Sequence, residues 1–440
     1  MLDYNVVYTE QKPTIQDKGL EISIWHDGAF YNQADDVVLG LYKTFGVEFV
    51  KYLDGDFALV LQDKRNDLLV VSADVFATRP IWVGYCRKTN KVFTAGYLST
   101  LEDSESCIDY HKVRPNTAYV YELSTGKLKQ EITLYKFELE QNIRNYDRWI
   151  EAFAEAVYKR ARRVGNRLFI GLSSGYDSGA IACELECQEI PFTSYSLRAN
   201  ESMGVIDARC QVHKNCHVFQ MTAKEYDKYQ QHIIQEGEDY EGMVTQHAFR
   251  EKGNGFFAAV NSKETETITK IAPYNYKLDK ASVGNAFVFE TAKANGQDVL
   301  LCGQGADEII SDYGWKGRQR YSQSQFGGLF PADLGAIFPY TNFYGGTMDC
   351  YLTQAAYVGR LYGIEARFPF LDVDLVQAFL RLHPDFKNRF YKAPIHEYLT
   401  RNKYPFDMGV KKGFRANENL LPENNNNADP LEATEEVAAL

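Results

Sequence analysis

The stretch Arg167-Leu-Phe-Ile-Gly-Leu-Ser-Ser-Gly-Tyr-Asp-Ser-Gly-Ala-Ile-Ala182 decides the fold of this chain. Its apolar run, 168–172, is short enough to be a buried parallel strand. The small residues 173–179 form a turn, and residues 180–186 predict the first turns of a helix. A strand, a tight loop and a helix together make an anion site, because the free amides and the positive dipole end of the helix face the loop.

The loop carries further groups that suit a phosphate. Ser173, Ser174 and Ser178 add hydroxyl donors, and Gly175 lets the backbone approach a phosphate closely. The G-x-x-x-x-G-K-[ST] pattern is missing and no lysine ends the loop, so this is not a Walker A loop.

The loop resembles the S-G-G-x-D-S pyrophosphate loop of the ATP-pyrophosphatase enzymes, and three later motifs narrow the resemblance to the asparagine synthetase family. Residues 301–308 (L-C-G-Q-G-A-D-E) are similar to that family's S-G-E-G-A-D-E, residues 363–372 (G-I-E-A-R-F-P-F-L-D) to its G-[VI]-E-A-R-x-P-F-L-D, and residues 411–414 (K-K-G-F) to its late K-x-G-F. A serine- and glycine-rich turn alone is as often an ordinary loop. Four motifs in the right order are far more specific, and they extend the resemblance over roughly residues 20–415.

Composition excludes several classes of function. The 440 residues carry a net charge of −11 without a basic stripe, which argues against nucleic acid and anionic membranes as partners. There is no transmembrane-length apolar run, and the start, Met-Leu-Asp-Tyr-Asn, lacks the pattern of a signal peptide. We therefore expect a cytoplasmic protein.

The eight cysteines lie scattered in apolar or helical contexts, so a reduced compartment is favoured over a disulfide framework. The cluster Cys210-x-x-His213-x-x-Cys216-His217 fits no common zinc spacing. Ordinary packed and surface residues are favoured there over a metal site.

The first 140 residues predict short antiparallel strands with a covering helix over 36–49, an α+β layer. The predicted strands are 20–25, 57–61, 68–72, 81–85 and 91–95. Residues 25–32, 53–58 and 73–80 resemble stretches of glutamine amidotransferase domains. The resemblance implies an N-terminal-nucleophile (Ntn) hydrolase-like domain over 1–140.

That domain departs from its family at the catalytic positions. The family's nucleophile is a cysteine directly after the initiator Met, whereas position 2 here is Leu and the first cysteine is Cys86. Asp27 stands where the family has an asparagine that helps to bind the oxyanion. We therefore expect a degenerate domain that keeps its fold as a scaffold and has lost glutaminase activity.

Beyond a polar linker at 142–147, strands and helices alternate. A helix is predicted over 148–162, strands over 192–197, 217–221 and 298–302, and a helix over 207–217. Alternation argues for a doubly wound parallel sheet with the nucleotide at the carboxyl ends of its strands. The resemblance implies an adenine nucleotide α-hydrolase-like, ATP-binding domain over 148–415. Residues 240–290 show little pattern, the rest to 414 looks mostly helical, and 416–440 looks like a disordered acidic tail.

The resemblance also implies the chemistry. With ATP and Mg²⁺, a substrate carboxylate, aspartate in the family, becomes an acyl-adenylate as pyrophosphate leaves, and ammonia or a substrate amine then displaces AMP. The residues that match the family's ATP and pyrophosphate site are Ser173, Ser174, Gly175, Asp177, Ser178, Leu197 and Gly303. Asp177 and Asp307 match its magnesium ligands, and carboxylates are what magnesium prefers. The plain alternative for each Asp is a helix N-cap.

Three further residues match catalytic positions. Lys411 would be the cation near the α-phosphate, although such a turn is otherwise an ordinary solvated loop. Glu365 would partner residue 304 as a base for the incoming amine. Position 304 is Gln here, where relatives carry Glu or Tyr, and an amide cannot act as a base at neutral pH.

These departures leave alternatives open. The chain resembles a carbon–nitrogen ligase of the asparagine synthetase type, but a β-lactam synthetase-like or lasso-peptide cyclase-like former of intramolecular amides fits the same motifs. A catalytically inactive homologue acting as a binding or regulatory subunit is the non-enzymatic alternative. A homodimer is also left open.

Overall fold

The computed structural model describes residues 15–32, 37–88, 91–102, 108–251, 265–409 and 415–421. The statements below concern these residues. None of their helices is long and apolar enough to cross a membrane.

Residues 15–133 form two antiparallel sheets and two helices. In chain order the elements are β1 (Ile15–Asp17), β2 (Ile22–Phe30), α1 (Val37–Phe45), β3 (Gly55–Asp63), β4 (Leu68–Ala73), β5 (Trp82–Cys86), β6 (Lys91–Ala95), α2 (Leu98–Glu102), β7 (Ile108–Lys112), β8 (Thr117–Glu122) and β9 (Leu128–Thr133). The larger sheet has the order β1-β2-β3-β4-β8-β9 and the smaller one β6-β5-β7.

The larger sheet is covered on both faces. Successive side chains of a strand point to opposite faces, so neighbouring residues of β3 lie in different apolar layers. Val60 of β3 packs in an apolar layer with Val83 of the smaller sheet. Its neighbour Leu59 packs in the opposite layer with Val38 and Tyr42 of α1. The predicted antiparallel layer with a covering helix is therefore confirmed, although β2 runs on to Phe30 and α1 ends at Phe45, where a 3₁₀ turn begins.

The following part contains the remaining elements. They are α3 (Asp147–Ala161), β10 (Leu168–Gly171), α4 (Tyr176–Cys187), β11 (Thr193–Leu197), α5 (Met203–Val212), β12 (Cys216–Phe219), α6 (Ala223–Glu236), β13 (Glu241–Glu251), β14 (Thr265–Asn275), α7 (Lys280–Ala294), β15 (Val299–Leu301), β16 (Gly314–Trp315), β17 (Arg318–Gln319), α8 (Thr341–Tyr344), α9 (Thr347–Tyr362), β18 (Glu365–Arg367), α10 (Val373–Leu380), α11 (Pro384–Lys387) and α12 (Ala393–Arg401).

Five of these strands form a parallel sheet in the order β12-β11-β10-β15-β18. The chain winds outward from β10 to β12 on one side and then crosses to β15 and β18 on the other. The predicted doubly wound sheet is confirmed. In such sheets a ligand crevice opens at the carboxyl ends where the winding reverses, which here is between β10 and β15.

Two local predictions are wrong: the length of helix α5, and the interpretation of Cys210 and Cys216 as ordinary packed or surface residues. Helix α5 ends at Val212, because the chain becomes extended at His213 before β12, so the predicted helix to residue 217 is too long. Cys210 and Cys216, at the two ends of this turn, are joined by a disulfide with a Cα–Cα distance of 5.3 Å. They are therefore neither free thiols nor metal ligands in this structure.

The long ribbon of β13 and β14, in register from Glu241↔Asn275 to Glu251↔Thr265, lies where the sequence showed little pattern. Its inward face carries Val244 and Tyr274, whereas Met243 and Ile271 on the outward face are exposed. Because both faces carry apolar side chains, the alternation that betrays a half-buried strand is lost.

Residues 415–421, most of which were assigned to the disordered tail, pair with the chain at the start of α6. Leu421 N–H donates to Met221 O (2.9 Å), Ala223 N–H donates to Leu421 O (3.1 Å), and Ala416 is buried. The cause is that backbone groups at a helix start need partners. The rest of the predicted tail lies outside the described residues.

The two parts of the chain meet along residues 363–372. Arg160 of α3 forms ion pairs with Asp56 of β3 and with Asp372, both at 2.8 Å, and all three side chains are at most 3% exposed. Phe368 N–H also donates to Asp56 (2.9 Å), and Arg79 donates to the carbonyl of Ala366 (2.6 Å). The edge strand β18 is thus bound to the first part of the molecule by buried, charge-assisted hydrogen bonds.

Candidate active site

A cavity of about 360 Å³ opens at the carboxyl ends of β10 and β15. Of the residues predicted from the sequence, those that line it are Ser173, Asp177, Ser178, Leu197, Gly303, Gln304 and Asp307. The cavity lies at the topological switch point, so the strand order of the parallel sheet brings these distant residues together.

The loop between β10 and α4 is held by its own hydroxyls. Ser178 Oγ accepts from Ser173 N–H (3.0 Å) and lies 2.7 Å from Ser173 Oγ. Ser173 Oγ in turn accepts from the amide of Gly175 (3.2 Å), which is the N-cap residue of α4 and makes no side-chain cap. Asp177 follows in the first helical turn, so its carboxylate is not the N-cap that the plain alternative supposed.

Arg209 of α5, which no motif indicated, supports the loop from behind. Its buried guanidinium donates to the carbonyls of Ser173 and Gly175 (3.0 Å for Gly175) and of Pro405 (2.9 Å). The C=O and N–H of a trans peptide point in opposite directions, so the amide that follows Gly175 points away from Arg209. A Cβ at Gly179 would lie 2.2 Å from Arg209 Nη2, so the arginine needs a glycine there.

A carboxylate already sits on the loop. Glu201 Oε2 accepts from Ser174 N–H (2.5 Å) and from the hydroxyl of Ser174, and Glu201 lines the cavity. An amide and a hydroxyl therefore converge on one anionic oxygen. This donor arrangement is the kind that a phosphate requires, so the residues present fit a nucleotide.

Asp177 and Asp307 are brought together by a lysine. Lys392 Nζ lies 2.7 Å from both carboxylate oxygens of Asp177 and 2.8 Å from Asp307 Oδ1, and its side chain is 1% exposed. Burial lowers the pKa of a lysine, but the two carboxylates raise the pKa of Lys392 above its usual value, so the group is an ammonium. Lys392 directly precedes α12, at the positive end of that helix, where a cation is unfavourable unless anions lie nearby.

Asp307 begins a π-helical turn, Asp307–Ser311. Its Oδ1 accepts from the hydroxyl of Ser311 at the end of that turn (3.3 Å) and from the hydroxyl of the distant Tyr391 (3.2 Å). Glu308, the next residue, accepts from the hydroxyl of Tyr313 and from Gly305 N–H (3.0 Å). Burial, and then the charge of Asp307, raise the pKa of Glu308. Such π turns are rare and cluster at functional sites.

The donor set fits magnesium only together with a phosphate ligand. Among the described residues, no group of three or more His, Cys, Asp or Glu side chains converges on one point. Two carboxylates leave room for phosphate oxygens and water, the shell that Mg²⁺ prefers at nucleotide sites. Asp177 lies close to the backbone of residue 303, and this contact requires glycine, because a Cβ at Gly303 would lie 2.9 Å from Asp177 Cβ.

The three predicted catalytic residues have different outcomes. Gln304 lines the cavity, and its amide donates to Tyr351 O (3.0 Å). Glu365 is not near Gln304: it pairs in register with Val299, at the amino end of β15, and its carboxylate accepts from Arg367 (2.8 Å). In a parallel sheet the two ends of a strand face opposite edges, so the predicted pairing of Glu365 with residue 304 is wrong. Lys411 lies outside the described residues.

The far wall of the cavity is aromatic, with Tyr313, Tyr321 and Tyr351. Tyr274 of the ribbon packs against Tyr351 with ring centroids 5.5 Å apart, and it donates to Asp279, which also lines the cavity (2.8 Å). The unpredicted β13–β14 ribbon therefore supports this wall directly.

Comparison with known proteins agrees with both parts of the chain. A family model described as a glutamine amidotransferase domain matches residues 23–135. Asparagine synthetase (glutamine-hydrolyzing) 3 of Arabidopsis thaliana is 25% identical over 372 residues, covering 84% of this chain and 58% of that protein. Asparagine synthetase (glutamine-hydrolyzing) 2 of Oryza sativa subsp. japonica is 23% identical over 354 residues, covering 80% and 54%. The chain thus spans little more than half the length of these relatives.

Among solved structures, the glutamine phosphoribosylpyrophosphate amidotransferase from B. subtilis gives a TM-score of 0.23 at 11% identity, over 47% of this chain and 62% of that one. That likeness is too low to support any statement about this chain.

Proposed function

The chain belongs to the asparagine synthetase family, and from this premise we propose that it is an ATP-dependent ligase that forms an amide through an acyl-adenylate, releasing AMP and pyrophosphate. The observation that carries the proposal is the meeting of Asp177 and Asp307 beside the loop of residues 173–178, at the switch point of a parallel sheet.

In this proposal each residue has one task. The Ser173, Ser174 and Ser178 hydroxyls and the loop amides bind pyrophosphate, and Leu197, at the end of β11, lies along the adenine. Asp177 and Asp307 hold Mg²⁺, which supplies charge neutralisation to the phosphates. Glu201 has to leave Ser174 as the nucleotide binds, because two anions cannot share one amide.

The substrate carboxylate attacks the α-phosphorus, and pyrophosphate leaves. The nitrogen nucleophile then attacks the acyl carbon, and AMP leaves. Lys411 is proposed, from its motif alone, to stabilise the charge that builds up on the α-phosphate. Gln304 can orient the incoming amine by hydrogen bonding, but its amide cannot remove a proton. Aspartate is the first carboxylate to test, and the aromatic wall of the cavity favours testing bulkier ones as well.

The nitrogen source is proposed to be ammonia or an amine of the substrate, without glutamine hydrolysis. The support is the carboxylate of Asp27, which stands at the position where the glutaminase family has an oxyanion-binding asparagine. Asp27 is a carboxylate paired with Arg360, which also donates to Gly96 O (3.2 Å), so the pair ties the position to α9. A negative charge there opposes a developing oxyanion. Glutamate release by the verified full-length protein, abolished by alkylation of a cysteine, would contradict this proposal.

The deciding experiment is carboxylate-dependent exchange between ATP and labelled pyrophosphate, followed by product analysis with ammonia and with amines. The expected result is exchange with at least one carboxylate and stoichiometric AMP. ADP as the product would contradict adenylation, and no exchange across a broad panel of carboxylates would favour the non-enzymatic alternative.

A further inference from the structure

Lys392 lies at the centre of the site although no sequence motif assigned it a role. Its nitrogen contacts carboxylates from two different strand ends, Asp177 after β10 and Asp307 after β15. The backbone of Lys392 is left-handed (φ 48°, ψ 52°), a conformation that is uncommon and costly for a residue other than glycine. The surrounding structure therefore holds this residue against its backbone preference with its side chain on the two carboxylates.

Two carboxylates that one nitrogen can reach at hydrogen-bonding distance repel each other strongly when they are mostly withdrawn from water. Their side chains are 18% and 11% exposed, so water screens the repulsion only in part. A single fixed ammonium removes the repulsion without any metal.

We propose that Lys392 is a positioning residue of this site, which holds Asp177 and Asp307 at a fixed separation in the absence of a divalent ion and occupies the position between them. It follows that Mg²⁺ alone binds this site weakly, and that it binds firmly only together with the phosphates of the nucleotide. The inference rests on the proposed function in taking the two carboxylates as metal ligands, but it concerns the nucleotide-free protein.

The test is the thermal midpoint of Lys392→Met, with EDTA and with Mg²⁺, in both cases without nucleotide. Methionine matches the length of the lysine and removes its charge. We expect a lower midpoint for the variant than for the wild type in EDTA, and a rise of at least about 2 °C on adding Mg²⁺, because the divalent ion takes over the position between the carboxylates. The wild type should respond much less to Mg²⁺.

Lys387→Met is the matched control. Lys387 is also a buried lysine, but its nitrogen bonds to Gln141 Oε1 (2.6 Å) and Leu380 O (2.7 Å) and to no carboxylate in the described part of the chain. Its thermal midpoint should be independent of Mg²⁺. A Mg²⁺ response equal to that of Lys392→Met would show a non-specific effect and overturn the inference.

A double variant, Lys392→Met with Asp307→Asn, separates the repulsion from a loss of packing. It should regain the midpoint lost in EDTA and lose the response to Mg²⁺. If Lys392→Met alone fails to fold, recovery of folded protein in the double variant supports the proposal, and failure of both overturns it. An unchanged midpoint in Lys392→Met, or an equal Mg²⁺ response in the wild type, overturns it as well.

These readouts do not depend on the ligase chemistry. Absence of pyrophosphate exchange in the wild type would contradict the proposed function, but the Mg²⁺ titration of Lys392→Met would remain valid. Conversely, normal exchange with no Mg²⁺ effect in the variant would remove only the role of Lys392.

Discussion

Three motifs that resemble those of the asparagine synthetases lie in two regions of one five-stranded sheet, its carboxyl end and its edge. At the carboxyl end, residues 173–178 and 303–308 converge on a cavity, which is lined by Ser173, Asp177, Ser178, Gln304 and Asp307. At the edge of the sheet, residues 363–372, which include β18 and the turn that follows it, contact the antiparallel part of the chain, where Asp56, Arg160 and Asp372 form a buried network. A motif typical of an enzyme family can therefore mark a contact between the two parts of the chain as well as a candidate site.

The edge of the sheet and the cavity differ in how their charged side chains are paired. Arg160 is paired on both sides, and the hydrogen bonds from Tyr31 and Phe368 complete the shell of Asp56. At the carboxyl end, by contrast, Glu201 occupies donors that the proposed nucleotide needs. The network at the edge is fully paired, whereas under the proposed function Glu201 has to leave Ser174 when the nucleotide binds.

The largest effect is expected at the carboxyl end. Asp177→Asn and Asp307→Asn should each lower pyrophosphate exchange by about 10²–10³ or more, because the proposed magnesium loses an anionic ligand where phosphate charge must be stabilised. Circular dichroism and thermal midpoints should show that the fold is intact.

Asp298→Asn is the control for these variants. Asp298 precedes β15 at the amino end of the sheet, and its carboxylate forms ion pairs with the partly exposed Arg167 and Lys293. Its exchange should be near that of the wild type. Near-normal exchange in the Asp177 and Asp307 variants at limiting Mg²⁺ would show that neither carboxylate holds the metal.

At the edge of the sheet the expected effect is on stability. Arg160→Met should lower the free energy of unfolding by about 3–5 kcal/mol, because Asp56 and Asp372 would keep buried charges without their main partner. Urea unfolding gives the measurement. Arg401→Met, which removes an exposed arginine paired with Asp147 and Glu397, should lower it by less than about 1 kcal/mol. Equal losses in the two variants would contradict the difference between buried and exposed pairs.

Lys411→Met tests whether the fourth motif acts at the carboxyl end. If its ammonium reaches the α-phosphate, turnover should fall by about 10²–10³ while ATP binding changes much less. Single-turnover rates and equilibrium ATP binding separate the two quantities. Lys412→Met is the matched control, and a loss of turnover only in that variant would show that the motif is shifted by one residue.

The sequence predicted what short-range pattern and motif order determine. Strand–loop–helix at 168–186 and the alternation that follows were enough for the parallel sheet and for a site at the carboxyl ends of its strands, whereas the grouping of Asp177 with Asp307 came from their match to the motifs of the asparagine synthetases. Lys392, Arg209 and Glu201 were missed because each reaches the site from a segment whose own pattern is ordinary. Only the three-dimensional packing places Arg209 against Gly179 or brings Lys392 to two strand ends at once.

Glu365 is the sharpest test of the difference between the cavity and the edge of the sheet. Its motif closely matches that of the asparagine synthetases, but its position does not suit catalysis. Its side chain is 35% exposed, it pairs with Arg367, and β18 holds it level with Val299, before the strand reaches the cavity. Because the Glu365 carboxylate remains partly exposed, its own contribution to the pair is about 1 kcal/mol. Glu365→Gln keeps the shape and a hydrogen-bond acceptor for Arg367, so exchange and amide formation should stay within about threefold of the wild type, a factor worth roughly the same free energy. The measurement is amide formation across pH at saturating amine. If the variant lost its rate with an altered pH profile while its unfolding free energy stayed unchanged, Glu365 would be a base acting at the cavity, and the assignment of residues 363–372 to the interface would be wrong.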